Sequence, residues 1–405
     1  MKKNLRILMS EPMLFLAIPI SLISLFLVIV LRPFVRIRIG FLRCDRIGHF
    51  AAETELYLCE RDASGQAGET IDLFYYPRNL CNKQLAKMWE RKIHILPWFL
   101  LRPMDLIIRS FTFLSPFKVI EAKGGVMDID NLLDRLPTHL EFTQEEEERG
   151  QARLLEMGIP VGELFVCLVV RDSAYLAQKY EGADVSHHNY RDTDIRNYVL
   201  AAEALAERGY FVIRMGVKVN GALKSDHPMV IDYATNGMRS DFMDIYLGVK
   251  CAFCISTGTG WDAIPEMARR PIAYVNFVPL GYLHTYSAKN LSITKRFVSR
   301  ATNENLTLRD IFSRGLGFSL LDGDYTCQGV DLVENTPEEI LDLVVEMVGR
   351  LNGAWHEIED DDMLQKAFWE RFPVDTLAPG GSLIHGEIRS RYGAVFLRKN
   401  LWWLA

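Results

Sequence analysis

The apolar positions of the chain follow two distinct rhythms. The first is an unbroken run, Met13 to Leu31 (MLFLAIPISLISLFLVIVL), without a charge. Its length, about 19 residues, suffices to span a bilayer as a helix. Arg32, Pro33, Phe34, Val35 and Arg36 follow it, where a cleaved secretory signal would place small residues. An uncleaved membrane anchor is therefore expected, with Pro19 leaving a kinked, re-entrant or interfacial helix open. Lys2, Lys3 and Arg6 precede the run, and Arg32, Arg36, Arg38 and Arg43 follow it. That excess predicts a carboxyl-terminal body on the cytoplasmic side.

Beyond the run the rhythm becomes an alternation of strand and helix patterns. Arg36–Leu42 predicts a strand, 43–50 a loop, Ala51–Glu60 a helix and Ile71–Tyr76 a second strand, a βαβ order. Thr143 and the glutamates after it start a helix that ends near Gly158 and separates two α/β halves. In the second half Leu164–Val170 is wholly apolar, as a strand covered on both faces should be. A helix over Asp194–Arg208, a strand over Tyr210–Met215, a helix over Ser240–Val249 and a strand over Cys251–Ser256 follow. A short helix at Pro265–Arg270 and a strand at Ile272–Phe277 complete the alternation. This order predicts a doubly wound domain, whose ligands sit beyond the carboxyl ends of the strands. A further helix runs from Pro337 to Arg350. The expected division is an anchor at 1–35, an amino-terminal Rossmann-like domain at 36–150, a second one at 151–350 and a helical tail at 351–405. The tail ends in Leu401, Trp402, Trp403 and Leu404, a terminus suited to a membrane surface or to the first domain.

Composition narrows the classes. The chain has 405 residues, 49% hydrophobic and 24% charged, enough for two cores. A net charge of -6 argues against a nucleic-acid partner, which calls for a basic face. Seven irregularly spaced cysteines do not make a disulfide framework and fit a reducing compartment. Cys251 and Cys254 form a CxxC pair inside an apolar run, as buried strand cysteines do; no second ligand pair for a metal is evident.

Candidate chemistry gathers where strands end. Ser256, Thr257, Gly258, Thr259 and Gly260 link an apolar strand to a helix containing Pro265 and Glu266. Glycine admits close approach of a ligand, and amides at a helix start favour phosphate. No Lys-Ser/Thr follows, so this is not a Walker loop. Arg171 and Asp172 directly follow the first apolar strand of the second half, where the arginine can pair with phosphate and the aspartate can orient it or take a proton. His187, His188, Asn189, Tyr190, Arg191 and Asp192 form a polar stretch suited to donor or acceptor. Arg214 ends another strand. Gly48 and His49 lie in the first strand-to-helix loop, where a histidine can act as general base. Asp128–Asp130, Asp192–Asp194 and Asp322–Asp324 are DxD strings without the strand context of a metal-bridged nucleotide, so no metal is expected.

Taken together, RIGHF, VVRDSAYL, HHNYRDTDIRNY, GYFVIRMG, RSDFMDIYL, STGTGWDAIPEM and PIAYVNFVPLG resemble a bacterial family of surface-carbohydrate glycosyltransferases found with capsule and lipopolysaccharide assembly genes. The resemblance covers Arg36 to Lys295. More distantly the layout is similar to the GT-B fold, two Rossmann-like domains facing a cleft. That resemblance implies a nucleotide-sugar co-substrate on the second domain and a diphosphate at Ser256–Gly260. It further implies a base at His49, a glycan or lipid-linked acceptor, no metal or other cofactor, and a body at the cytoplasmic face of a bacterial inner membrane. A nucleotide-sugar epimerase or hydrolase of the same fold, and a non-catalytic scaffold of a polysaccharide assembly complex, are the alternatives.

Overall fold

The computed structural model describes residues 12–65, 70–179, 184–378 and 381–405. Lys2, Lys3 and Arg6, which enter the charge bias, lie outside them. The chain divides into two compact units. One takes residues up to Val126 together with Leu136–Phe142, and the other takes Met127–Arg135 and Thr143–Ala405.

The first unit holds a three-stranded parallel sheet. Strand β1 (Arg36–Phe41) pairs with β2 (Thr70–Tyr75), and β2 with β3 (His94–Ile95). Helices Ile47–Ala63 and Lys83–Glu90 make the crossovers. The first of these starts at Ile47, four residues earlier than its pattern suggests, so Gly48 and His49 belong to a helical turn and not to a loop. A bidentate pair, Arg38 to Asp72 at 2.6 and 2.7 Å, crosses β1 and β2, and the Tyr57 hydroxyl also donates to Asp72. The apolar run forms a helix, Pro12–Leu31, with Pro19 inside it. It is long and apolar enough to cross a membrane. Leu14, Leu25 and Val28 join Leu101, Met104 and Ile108 of helix Trp98–Ile108 in one core.

The second unit is built on seven strands, all parallel. Their order is β12 (Arg391–Tyr392), β9 (Leu291–Ser292), β8 (Ile272–Tyr274), β7 (Cys254–Ser256), β4 (Phe165–Val169), β5 (Phe211–Met215), β6 (Val230–Ile231). From β4 the chain winds outward through β5 and β6, then returns to β7 on the other side of β4 and winds outward again. Both faces of the central strands are covered, and β4 and β5 are buried at every position. Ser240 caps helix Asp241–Lys250 by accepting from the Met243 amide at 3.2 Å. Thr143 and Glu146 form a capping box on helix Gln144–Glu156. The region expected as one helix over Asp194–Arg208 begins as a 3₁₀ turn, Ile195–Tyr198, before α-helix Val199–Ala206. An antiparallel pair, β10 (Arg296–Ser299) with β11 (Val330–Val333), flanks the sheet. The carboxyl-terminal segment, read as a helical tail, adds strand β12 to this unit's sheet, and Tyr392 packs with Phe368 and Trp403.

Cys167, Cys251 and Cys254 are buried free thiols. Burial raises the thiols of Cys167 and Cys254 well above their usual range, which suppresses the nucleophilic thiolate.

Candidate functional site

The winding reverses between β4 and β7, and the space beyond the carboxyl ends of such strands is the usual ligand position. Two loops meet there, Val170–Asp172 after β4 and Thr257–Gly260 after β7. They are laced together: the Thr257 amide donates to Val169 O at 3.4 Å, and the Arg171 amide donates to Thr257 Oγ1 at 3.0 Å.

The Ser256–Gly260 loop is shaped from within. Gly258 sits at φ +74°, and a Cβ there would come within 2.8 Å of the Phe277 ring. Its amide donates to Ser256 Oγ (3.0 Å), and Ser256 Oγ donates to Asp262 Oδ2 (2.6 Å). The Thr259 amide also donates to Asp262 Oδ2, at 2.8 Å. These two amides, expected to meet phosphate, are thus satisfied inside the protein. The helix after them, Ala263–Met267, has five residues, so its dipole is small. Burial, with Glu266 nearby, lifts the Asp262 carboxyl to about 6. Thr259 Oγ1 is buried without a hydrogen-bond partner.

Cations supply what the loop amides do not. Arg171 Nε lies 3.4 Å from Asp192 Oδ1, and Arg191 donates through Nη2 to the Gly258 carbonyl. Lys295, almost fully buried after β9, donates from Nζ to the Asp192 carbonyl at 2.6 Å. Burial pushes the Lys295 ammonium down to about 8. Burial and the neighbouring Arg191 also lower Arg171. The Nε atoms of Arg171 and Arg191 and Oδ1 of Asp192 are buried without hydrogen-bond partners. Asp192 is the carboxylate paired with Arg171, and two others nearby hold backbone and amide donors. Asp172 accepts from the Ala174 amide (2.9 Å) and the Asn220 amide (2.8 Å), and Glu334 accepts from the Asp194 amide (3.0 Å) and Asn197 Nδ2 (2.9 Å). Arg171 and Lys295 thus gather at Asp192, next to Arg191 on the loop, a density of cations of the kind that recognises anions.

The remaining sequence candidates fall into three places. Tyr190 is buried against Tyr325, and His188 stacks with His187 on the 3₁₀ turn Ser186–Arg191 that carries Arg191 to the loop. Arg214 is 1% exposed and paired with Asp232 at 3.2 Å, so it braces the end of β5 and is not the free cleft-edge cation expected. Glu266 lies behind the loop, accepting from the Tyr274 hydroxyl (2.9 Å) and pairing with His284 Nδ1 (2.6 Å). The histidine holds the Glu266 carboxyl below its usual range although burial opposes this. His284 also meets Phe277 edge to face, the ring that covers Gly258. Gly48 and His49 are in the first unit, where His49 Nδ1 pairs with Glu53 Oε1 at 2.8 Å and Arg43 joins the same carboxylate at 3.2 Å.

Lys295, Asp262 and His284 were not singled out by sequence. Among the described residues one group has metal-ligand chemistry, Glu55, Cys59 and His139 of the first unit. It is internally satisfied: His139 Nδ1 lies 3.1 Å from Glu55 and Nε2 lies 3.0 Å from Asp62. Its carboxylate and thiol partners lift the imidazolium to about 10 against the effect of burial. The DxD residues Asp128 and Asp194 cap backbone turns, Asp128 by accepting from the Leu132 and Leu133 amides.

The second unit is thus a doubly wound α/β sheet with Arg171, Arg191 and Lys295 gathered near the point where its winding reverses. No family model and no curated protein matches the chain. Among solved structures it is similar to a glycosyl transferase family 9 protein from Veillonella parvula, at 10% identity over 59% of this chain and 80% of that one, with a TM-score of 0.38. It is also similar to the ADP-heptose LPS heptosyltransferase II of E. coli, at 11% identity over 78% of this chain and all of that one, with a TM-score of 0.36. The functional reading therefore rests on the chain's own site.

Proposed function

We propose that the chain is a glycosyltransferase that moves a sugar from a nucleotide-sugar donor to a lipid-linked or surface-glycan precursor. The observation that carries this reading is a cluster of cations beside the Ser256–Gly260 loop: Arg191 reaches the Gly258 carbonyl, while Arg171 and Lys295 both meet Asp192, the residue after Arg191. A nucleoside diphosphate gains negative charge on its leaving oxygen as the glycosidic bond breaks. Fixed cations in a poorly hydrated crevice stabilise that charge more than they stabilise the ground state.

In this reading Arg191 bridges loop and diphosphate, Arg171 faces the same phosphates, and Lys295 supplies charge from below. Asp172 positions the β4 loop through its two amide contacts. His49, close to Glu53, is the proposed base on the acceptor hydroxyl. No cofactor beyond the nucleotide sugar is assigned, and no nucleic-acid partner. The apolar helix keeps the enzyme beside a lipid-linked acceptor at the cytoplasmic face of a bacterial inner membrane.

The test is incubation of membrane-embedded protein with labelled nucleotide sugars and a bacterial lipid extract. Label should pass to the lipid-soluble fraction and fall to background with Arg171→Ala. Free sugar or an isomerised nucleotide sugar as the sole product would replace transfer with hydrolysis or epimerisation.

A further inference from the structure

The Pro12–Leu31 helix does not stand apart from the body of its unit. Leu14, Ile18, Ser21, Leu25 and Val28 recur at spacings of four and three, and all turn toward the protein. That is one continuous seam along almost the whole helix, packed on helix Trp98–Ile108 and on the 3₁₀ turn Thr112–Phe117. The opposite face is apolar and bare: Leu16 is 75% exposed and Phe26 64%.

The partner segment is bare too. Phe113 is 75% exposed, Phe34 87%, and Phe99, Leu100, Phe111 and Ile120 are exposed beside them. An apolar patch of this extent, continuous with a membrane-length helix, marks a membrane contact. Cations border it: Arg32 lies over Phe117 at 5.8 Å and Arg102 over Trp98 at 5.9 Å, with Arg36 exposed and Lys118 half-exposed. Aromatic and cationic residues together belong at the headgroup level, and the cations favour anionic lipid.

A helix of this length, about 30 Å, could cross a bilayer upright. Its seam would then carry Trp98–Ile108 into the hydrocarbon, along with Arg102 and the Asp105–Arg109 ion pair (2.8 Å). Charged side chains at that depth are costly. We propose that helix Pro12–Leu31 and segment 98–120 enter one leaflet together as a single apolar wedge, with both ends of the helix on the cytoplasmic side. The seam stays intact, the bare faces meet acyl chains, and Arg32, Arg36, Arg102 and Lys118 meet phosphate headgroups. The wedge rests on this packing and not on the transfer reaction.

Two measurements on the full chain, in sealed vesicles of phosphatidylethanolamine and phosphatidylglycerol, decide it. A photoreactive benzoylphenylalanine placed at 113 should form lipid adducts as readily as one at 26, while one at the exposed position 217 of the second unit should form none. Tags on the two chain termini should react together, or be shielded together, toward an impermeant reagent. Adducts at 26 but not at 113 would leave an isolated helix and overturn the wedge. Termini on opposite sides of the bilayer would overturn single-leaflet entry.

Discussion

At the scale of single residues, the cations clustered near the switch point determine what the site can hold. Arg191 reaches the crevice through a guanidinium that also holds the Gly258 carbonyl. Charge-assisted hydrogen bonds contribute about 1.5–3 kcal/mol, so Arg191→Ala should weaken nucleoside diphosphate binding about tenfold to a hundredfold. Titration calorimetry measures this, and an unchanged affinity would remove Arg191 from the site. Lys295 offers a sharper signature. Its ammonium, pushed down to about 8 by burial, is charged below that pH and neutral above it. Affinity for the diphosphate should therefore fall as pH rises through about 8, and the fall should vanish in Lys295→Met. His139 makes the opposite kind of prediction, for stability. Its folded-state pKa, about 10, lies above the unfolded value of about 6.5, so its contribution is full below pH 6.5. That contribution is lost as pH rises toward 10. The melting-temperature gap between wild type and His139→Gln should narrow over that window; a constant gap would contradict the ion-pair reading. Arg171 and Asp172 were legible because they directly follow an apolar strand. Lys295 was not, because β9 is two residues long and has no period to read. Asp262 and His284 were hidden because their importance lies in contacts across the fold.

At the scale of elements, the long apolar strands and the capped helices were legible, since burial on both faces leaves an unbroken run and caps carry their own residue types. Thr143, Ser240 and Pro337 mark helix starts in the sequence and in the structure alike. The two-residue strands β3, β6, β9 and β12 were illegible, because neighbouring strands and not local propensity create them. The helix carrying Gly48 and His49 was misplaced at its start because Arg46 makes no side-chain cap. Helix packing supplies a test here. Gly150 of helix Gln144–Glu156 faces Tyr246 of helix Asp241–Lys250, and a Cβ would fall 2.1 Å from that ring. Gly150→Ala should cost about 1–3 kcal/mol through overpacking, despite alanine's better helix propensity. Denaturant unfolding that shows a gain would mean that the two helices pack with room to spare.

At the scale of the whole molecule, the division into an apolar-helix-bearing unit and a doubly wound unit explains why two chemistries share one chain. The first unit carries the bare apolar helix with cations at its border, and the second holds the cation cluster from which diphosphate binding is proposed. The strand order directs attention to one place in the second unit: in a sheet that winds outward from β4 in both directions, ligands usually sit between β4 and β7. The loops read from the sequence, after β4 and β7, are joined there by hydrogen bonds, and the Gly258 and Thr259 amides turn inward, which no sequence pattern announced. The most direct measurement is therefore calorimetric titration of nucleoside diphosphates into wild type, Arg171→Ala and Lys295→Met. One diphosphate should bind the wild type with a single site and bind both variants at least about tenfold more weakly, as lost charge-assisted contacts require. Equal affinity across all three proteins would contradict the anion site at the switch point, and the transfer reading with it.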